Sequence, residues 1–220
     1  MSDDFIKAED FMKALDAVYE KAIEGIDPIA PPIYTVADDF RKKYPDVRKA
    51  VKAMQEDQVA KCTVSGVITG FAGVFALPLS LPANLSSVLY VQLRMIACTA
   101  LMGGYDLDSE EVRTFIYACL AGVSVNGLLK SLGLKEGGKM AVKFIINIPA
   151  RFLAKINRRL GFLFVTKFGT RGIINLWQLI PGVGAAVNGG LDYTESKMLA
   201  DRAYRMFIDN DFSVGETVTC

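Results

Sequence analysis

The sequence predicts an all-α fold: a single-domain helical bundle of about eight helices around a central hydrophobic helical hairpin. Three observations predict it. Apolar residues recur at helical spacing along most of the chain, and no run alternates for long enough to claim a sheet. Cys62 to Leu93 contains no charged residue over 32 positions, so it forms either the centre of a large core or a surface that meets lipid. Pro78 and Pro82 interrupt that run. Pro78 removes a backbone donor and clashes with the preceding turn, which ends a helix near Leu77; Pro82 suits the first turn of the next. The result is two helical arms joined through Leu77, Pro78, Leu79, Leu81 and Pro82.

The arms are short for a membrane span. Val64 to Leu77 is 14 residues, roughly 21 Å of helix at about 1.5 Å per residue, whereas a bilayer core needs roughly 20 apolar residues. The second arm meets Gln92 and Arg94 after about three turns. Gly66 and Gly70 form a GxxxG, which permits close helix approach in lipid and in a tight soluble core alike. Two readings therefore stand, a hairpin buried in a soluble domain and a hairpin that dips into a membrane.

The other elements follow in order. Phe11, Leu15, Val18 and Ala22 give a surface amphipathic helix over residues 4–25. Residues 27–34 (DPIAPPIY) hold three prolines and predict an extended connector. Thr35 opens a short helix that runs to about Lys43, and Asp46 caps the next, whose charged section to Lys61 is expected to be exposed. The second hairpin arm stops at Gly103-Gly104. Asp108 caps a helix whose first turn holds Ser109, Glu110 and Glu111 and which runs unbroken to about Ser131. Helices over 135–147 and 149–168, a short one to Leu179, a break at Pro181-Gly182 and a last helix to about Ile208 complete the reading. The tail, 209–220, is expected to be loose.

Composition narrows the chemistry. The 220 residues suffice for one sizeable core. Hydrophobic residues make up 51% and the mean hydropathy is +0.28, which leans toward an apolar interior or membrane association. Histidine is absent, which removes the commonest general base and zinc ligand, and with them any Ser-His or Cys-His nucleophile. The four cysteines form no CxxC pair and fit a reducing cytoplasm. The N-terminal MSDDFIKAEDF lacks the basic and apolar regions of a signal peptide. The expectation is a non-enzyme with no catalytic residues, no metal and no cofactor. Gly133 to Met140 comes close to a phosphate-binding loop, but Met140 stands where the hydroxyl for magnesium belongs, and a helix-connecting loop is the plainer reading.

Charge is the stronger functional signal. The net charge is +1, yet residues 130–171 carry ten basic side chains against Glu136 alone, while residues 1–27 carry eight acids against three lysines. Lys143, Arg151, Lys155, Arg158, Arg159 and Lys167 are the candidate contacts with an anionic lipid surface. Within this block Phe152, Ile156, Leu160 and Leu163 can share one helix face, a pattern that fits both a helix on a membrane and a helix on a core. No nucleic-acid motif accompanies the charge. Asn84, Gln92, Arg94 and Asp106 are candidate buried polar residues in or beside apolar sequence, and a buried Arg94 requires an acid or several carbonyls.

Two stretches, LPLSLPANLSSVLYVQLRMIACTALMGGYDLDSEEVRTFIYACLAG and LAKINRRLGFLFVTKFGTRGIINLWQLIPGVGAAVNGGLD, resemble the EcsC protein family, with the likeness covering roughly 47–207. The combination of LPANL, QxRMIA, GGYD and a later INLxxxxPGVG is more specific than any one piece. The resemblance implies an α-helical bacterial protein associated with membranes, and it supplies no catalytic residues. The expected function is a non-enzymatic, membrane-associating module, peripheral to the inner face of the cytoplasmic membrane. Its expected partner is an anionic membrane surface or a membrane protein, with no nucleic acid. The alternative is a soluble helical interaction or scaffold protein with an unusually apolar core.

Overall fold

The computed structural model describes residues 7–63, 83–133, 148–168 and 193–216. They form an all-α, single-domain bundle of eight helices. These are α1 (Ala8–Glu24), α2 (Ile33–Lys43), α3 (Val47–Thr63), α4 (Ala83–Met102), α5 (Glu110–Ala121), α6 (Val125–Ser131), α7 (Ala150–Phe168) and α8 (Tyr193–Phe207). The predicted hairpin turn at Leu77, Pro78, Leu79, Leu81 and Pro82 lies outside the described residues, as do the helix expected over 135–147 and the break at Pro181-Gly182.

The second arm of that hairpin, α4, is the hub, packing against α1, α2, α3, α5 and α8. Its apolar composition explains this position. Leu89, Leu93, Ile96, Ala97 and Ala100 are buried and point to several neighbours at once. On α1, Phe11, Leu15, Val18 and Ala22 form the predicted stripe and are fully buried. The Phe11 ring stacks on Phe164 of α7 with centroids 5.5 Å apart. α1 and α7 approach closely at Gly161, where a Cβ would stand 2.9 Å from the Met12 Cγ and 3.1 Å from the Ala8 carbonyl.

Several boundaries differ from expectation, each for a local reason. The connector is 25–32 rather than 27–34, shifted by two residues. Gly25, at φ +82°, turns the chain back so that the Ile26 amide donates to Ala30 at 2.8 Å, and α2 begins at Ile33 with Pro32 as its N-cap. A residue that lacks an N–H is no loss at a helix start, which is why the helix begins before Thr35. Asp46 does cap α3, accepting from the Lys49 amide at 3.0 Å. The charged part of α3 is not exposed all round: Ala50, Val51, Met54, Gln55, Gln58 and Val59 are buried along one face.

The cap of α5 is Ser109 rather than Asp108; its hydroxyl accepts from the Val112 amide at 3.4 Å. The helix expected to run from there to Ser131 is two. Gly122, in the left-handed region at φ +83°, ends α5, and the Ser124 hydroxyl starts α6 by accepting from the Gly127 amide at 3.1 Å.

The tail is not loose through Glu216. Residues 209–216 fold back as a strap over the α5–α6 junction. The Glu216 amide donates to Gly122 at 2.8 Å, the Ser124 amide to Glu216 at 3.0 Å and the Asn126 amide to Phe212 at 3.0 Å. Phe212 is 1% exposed and packs on Phe115, with centroids 5.6 Å apart. Burial of that ring is what holds the strap.

Candidate functional site

The candidate site is the outward face of α7. Pro149 precedes the helix, and its carbonyl accepts from the Phe152 amide at 2.7 Å to close the first turn. Leu153, Ile156, Leu160 and Phe164 follow at helical spacing and are buried against α1 and α5. Ile156 and Leu160 belong to the face read from the sequence, whereas Phe152 and Leu163 are only half-buried on its flank. Asn157 also faces inward and accepts from the Thr114 hydroxyl at 3.1 Å. The apolar face is thereby committed to the core, and the opposite face meets solvent.

On that opposite face Arg151, Lys155, Arg158 and Phe162 are exposed. Their spacing of four, three and four residues puts them on one ridge within an arc of about 60° at about 100° per residue. The half-buried Phe152 ring lies beneath the first two, 5.1 Å from the Arg151 guanidinium and 5.9 Å from the Lys155 ammonium. Arg159, grouped with them by sequence, does not belong to the ridge: it is half-buried and donates to the Ser131 hydroxyl at the end of α6. Lys143 and the side chain of Lys167 lie outside the described residues. Phe162 is the member that the sequence reading missed. Its signal was present in the i, i+4, i+7, i+11 spacing that begins at Arg151.

The polar residues nominated in and around α4 separate. Arg94 is 5% exposed and carries no acid partner among the described contacts. Its guanidinium donates to the Ala22 carbonyl of α1 at 3.1 Å and to the Pro31 carbonyl. Those carbonyls come from the last turn of α1 and from the loop after it, so Arg94 ties three segments together. Gln92 is half-buried rather than buried. Asp106 is exposed: its carboxylate accepts from the Asp108 amide at 3.0 Å in the turn before α5, where solvent reaches it. The Asn84 side chain lies outside the described residues. A buried polar pairing the sequence did not indicate is Gln55, whose amide nitrogen donates to the Thr99 hydroxyl at 3.1 Å and to the Ala200 carbonyl at 2.8 Å.

The buried thiols and the buried Tyr117 phenol are held neutral. Burial pushes the Cys98 and Cys119 thiols up to about 12. Tyr117 is raised further, first by burial and then by Asp16, whose carboxylate accepts from its hydroxyl at 2.6 Å. These groups are therefore structural donors, and a raised thiol is a poor nucleophile. Among the described residues no three His, Cys, Asp or Glu side chains are grouped to hold a metal.

A stretch of 105 residues is 31% identical to the uncharacterized protein YdbA of Bacillus subtilis (strain 168), covering 47% of this chain and 37% of YdbA. The aligned part thus spans little more than a third of that relative's length. No family model matches the chain, and no solved structure matches it.

Proposed function

We propose that the protein is a non-enzymatic, membrane-associating helical module of EcsC type that docks on the anionic inner face of the cytoplasmic membrane through α7. The observation that carries this reading is the ridge of Arg151, Lys155 and Arg158, exposed on one line while the apolar face of the same helix is buried. Each basic side chain near an anionic surface contributes about 1 kcal/mol, so three together supply about 3 kcal/mol, a reversible and salt-sensitive attachment. The test is co-sedimentation with phosphatidylglycerol-containing and pure phosphatidylcholine vesicles at low and high salt. Binding to the anionic vesicles at low salt, lost in the triple reversal Arg151→Glu, Lys155→Glu, Arg158→Glu with unchanged helical circular dichroism, is the expected result. Equal binding to both lipids, or none to either, would sink it.

A second reading, a soluble interaction or scaffold protein, is favoured by one feature of α4. Leu85–Met102 has a mean hydropathy of 1.5 and the length to cross a membrane, yet 83% of that window is buried inside the fold. The apolar surplus of the sequence is at least partly accounted for by the core. Failure of vesicle binding in the test above, with a folded monodisperse protein, selects this reading.

A further inference from the structure

Phe162 is 68% exposed, the highest value among the described large apolar side chains. Packing does not require this. Phe164, two residues on, is fully buried and stacks on Phe11, so the core already has its aromatic ring at this level of the helix. Phe162 instead continues the line of Arg151, Lys155 and Arg158, about 6 Å along the axis beyond Arg158 at about 1.5 Å per residue. Half-buried Leu163 and Val165 flank it, and the exposed positions nearest the ridge on either side, Ala154 and Thr166, are short. The ring is therefore the most prominent apolar group on the basic face.

The charge around it is graded. The ridge cations Arg151, Lys155 and Arg158 occupy the N-terminal half of α7, while Lys167 stands in its last turn. At Gly161 the helix abuts the start of α1, where Glu9 and Asp10 are exposed beside an equally exposed Lys7. Attraction to an anionic surface thus acts on the half that ends at Arg158, and Phe162 stands at the edge of that half, where the apolar flank begins. Two such ridges would repel each other face to face, and a basic line that ends in an apolar ring matches an anionic surface with an apolar layer beneath it.

We infer that Phe162 is the apolar anchor of the bilayer contact: α7 lies parallel to the membrane, with Arg151, Lys155 and Arg158 among the headgroups and the Phe162 ring in the acyl boundary. This rests on the membrane reading above. The chain holds a single tryptophan, Trp177, so a Trp177→Phe, Phe162→Trp double variant reports from the anchor position alone. With phosphatidylglycerol-containing vesicles its emission shifts to the blue and is quenched by brominated acyl chains; with pure phosphatidylcholine it does neither. In the native background, Phe162→Ser weakens vesicle partitioning roughly tenfold, while Met198→Ser, at an exposed apolar position on α8, leaves it unchanged. Sedimentation with anionic vesicles while the indole stays unshifted and unquenched overturns the anchor and leaves the electrostatic contact standing. An equal loss of binding in Phe162→Ser and Met198→Ser also overturns it. No sedimentation with any vesicle overturns the anchor and the membrane reading together.

Discussion

Arg94 carries more of the fold than its single charge suggests. It is the one cation inside α4, and its guanidinium satisfies the buried Ala22 carbonyl and the part-buried Pro31 carbonyl. Replacing it with Met preserves bulk but orphans the buried Ala22 carbonyl, at a cost of about 2 kcal/mol. The expected outcome is a urea midpoint lowered by about 1 M, for a slope of about 2 kcal/mol/M that stays unchanged. Arg94→Lys restores only part of the loss, because the two bonds come from separate guanidinium nitrogens, whereas all three donors of an ammonium sit on one. Cys98 and Cys119 make a second expectation at this scale. With burial holding each thiol near 12, both stay protonated through the neutral and mildly alkaline range. In a Cys62→Ser, Cys220→Ser background, a disulfide reagent at pH 8 should react only at the rate of unfolding. Rapid burst labelling of the native protein would contradict their burial.

The strap and α7 show what elements do with such residues. Phe212 sits in a socket beside Tyr105 and Phe115, so Phe212→Ala should cost about 3–5 kcal/mol, read by denaturant unfolding. Asp211 stabilises the same segment. Its carboxylate accepts from the Ser213 hydroxyl at 2.5 Å, from the Ser213 amide at 3.1 Å and from Arg205 at 2.7 Å. These bonds, the Ser213 hydroxyl first, hold it below the usual carboxylate range. A lowered native value means that the stabilisation is fully present above the unfolded value of about 3.9 and is lost as pH falls through the native one. The stability gap between the native protein and Asp211→Asn should therefore be constant from about pH 7 to 5 and close below about pH 4. A gap that widens with acid would reverse the sign of this account.

For the whole molecule, the burial of α4, the most apolar of the described helices, decides how any membrane contact should behave. The Leu85–Met102 window lies 83% inside the fold, and the exposed ridge of α7 is basic. Attachment is then expected to be peripheral. Raising ionic strength from about 0.1 M to 1 M shortens the screening length from about 10 Å to about 3 Å, and most of the protein should leave anionic vesicles. Retention through both high-salt and carbonate washes would mean that α4 leaves the bundle for the bilayer or that its predicted partner arm enters it.

The helical class, the position of Gly103-Gly104 at the end of α4, the Asp46 cap and the concentration of basic residues after 130 were legible in the sequence, because spacing, capping and charge are local properties of neighbouring residues. The choice of Ser109 over Asp108 as a cap and the break at Gly122 lay within one turn of the expectation, but both depended on how the chain leaves the helix. Other features depended on residues distant in the chain. Arg94 found carbonyls 72 and 63 positions away rather than an acid. The C-terminal strap is ordered because Phe212 meets Phe115 and the junction at Gly122. Most of all, an amphipathic pattern in α7 states that one face will be covered without stating by what. The tertiary structure covered the apolar face with α1 and α5 and left Arg151, Lys155, Arg158 and Phe162 outward, because burial is a property of the partner surface and not of the helix that seeks it.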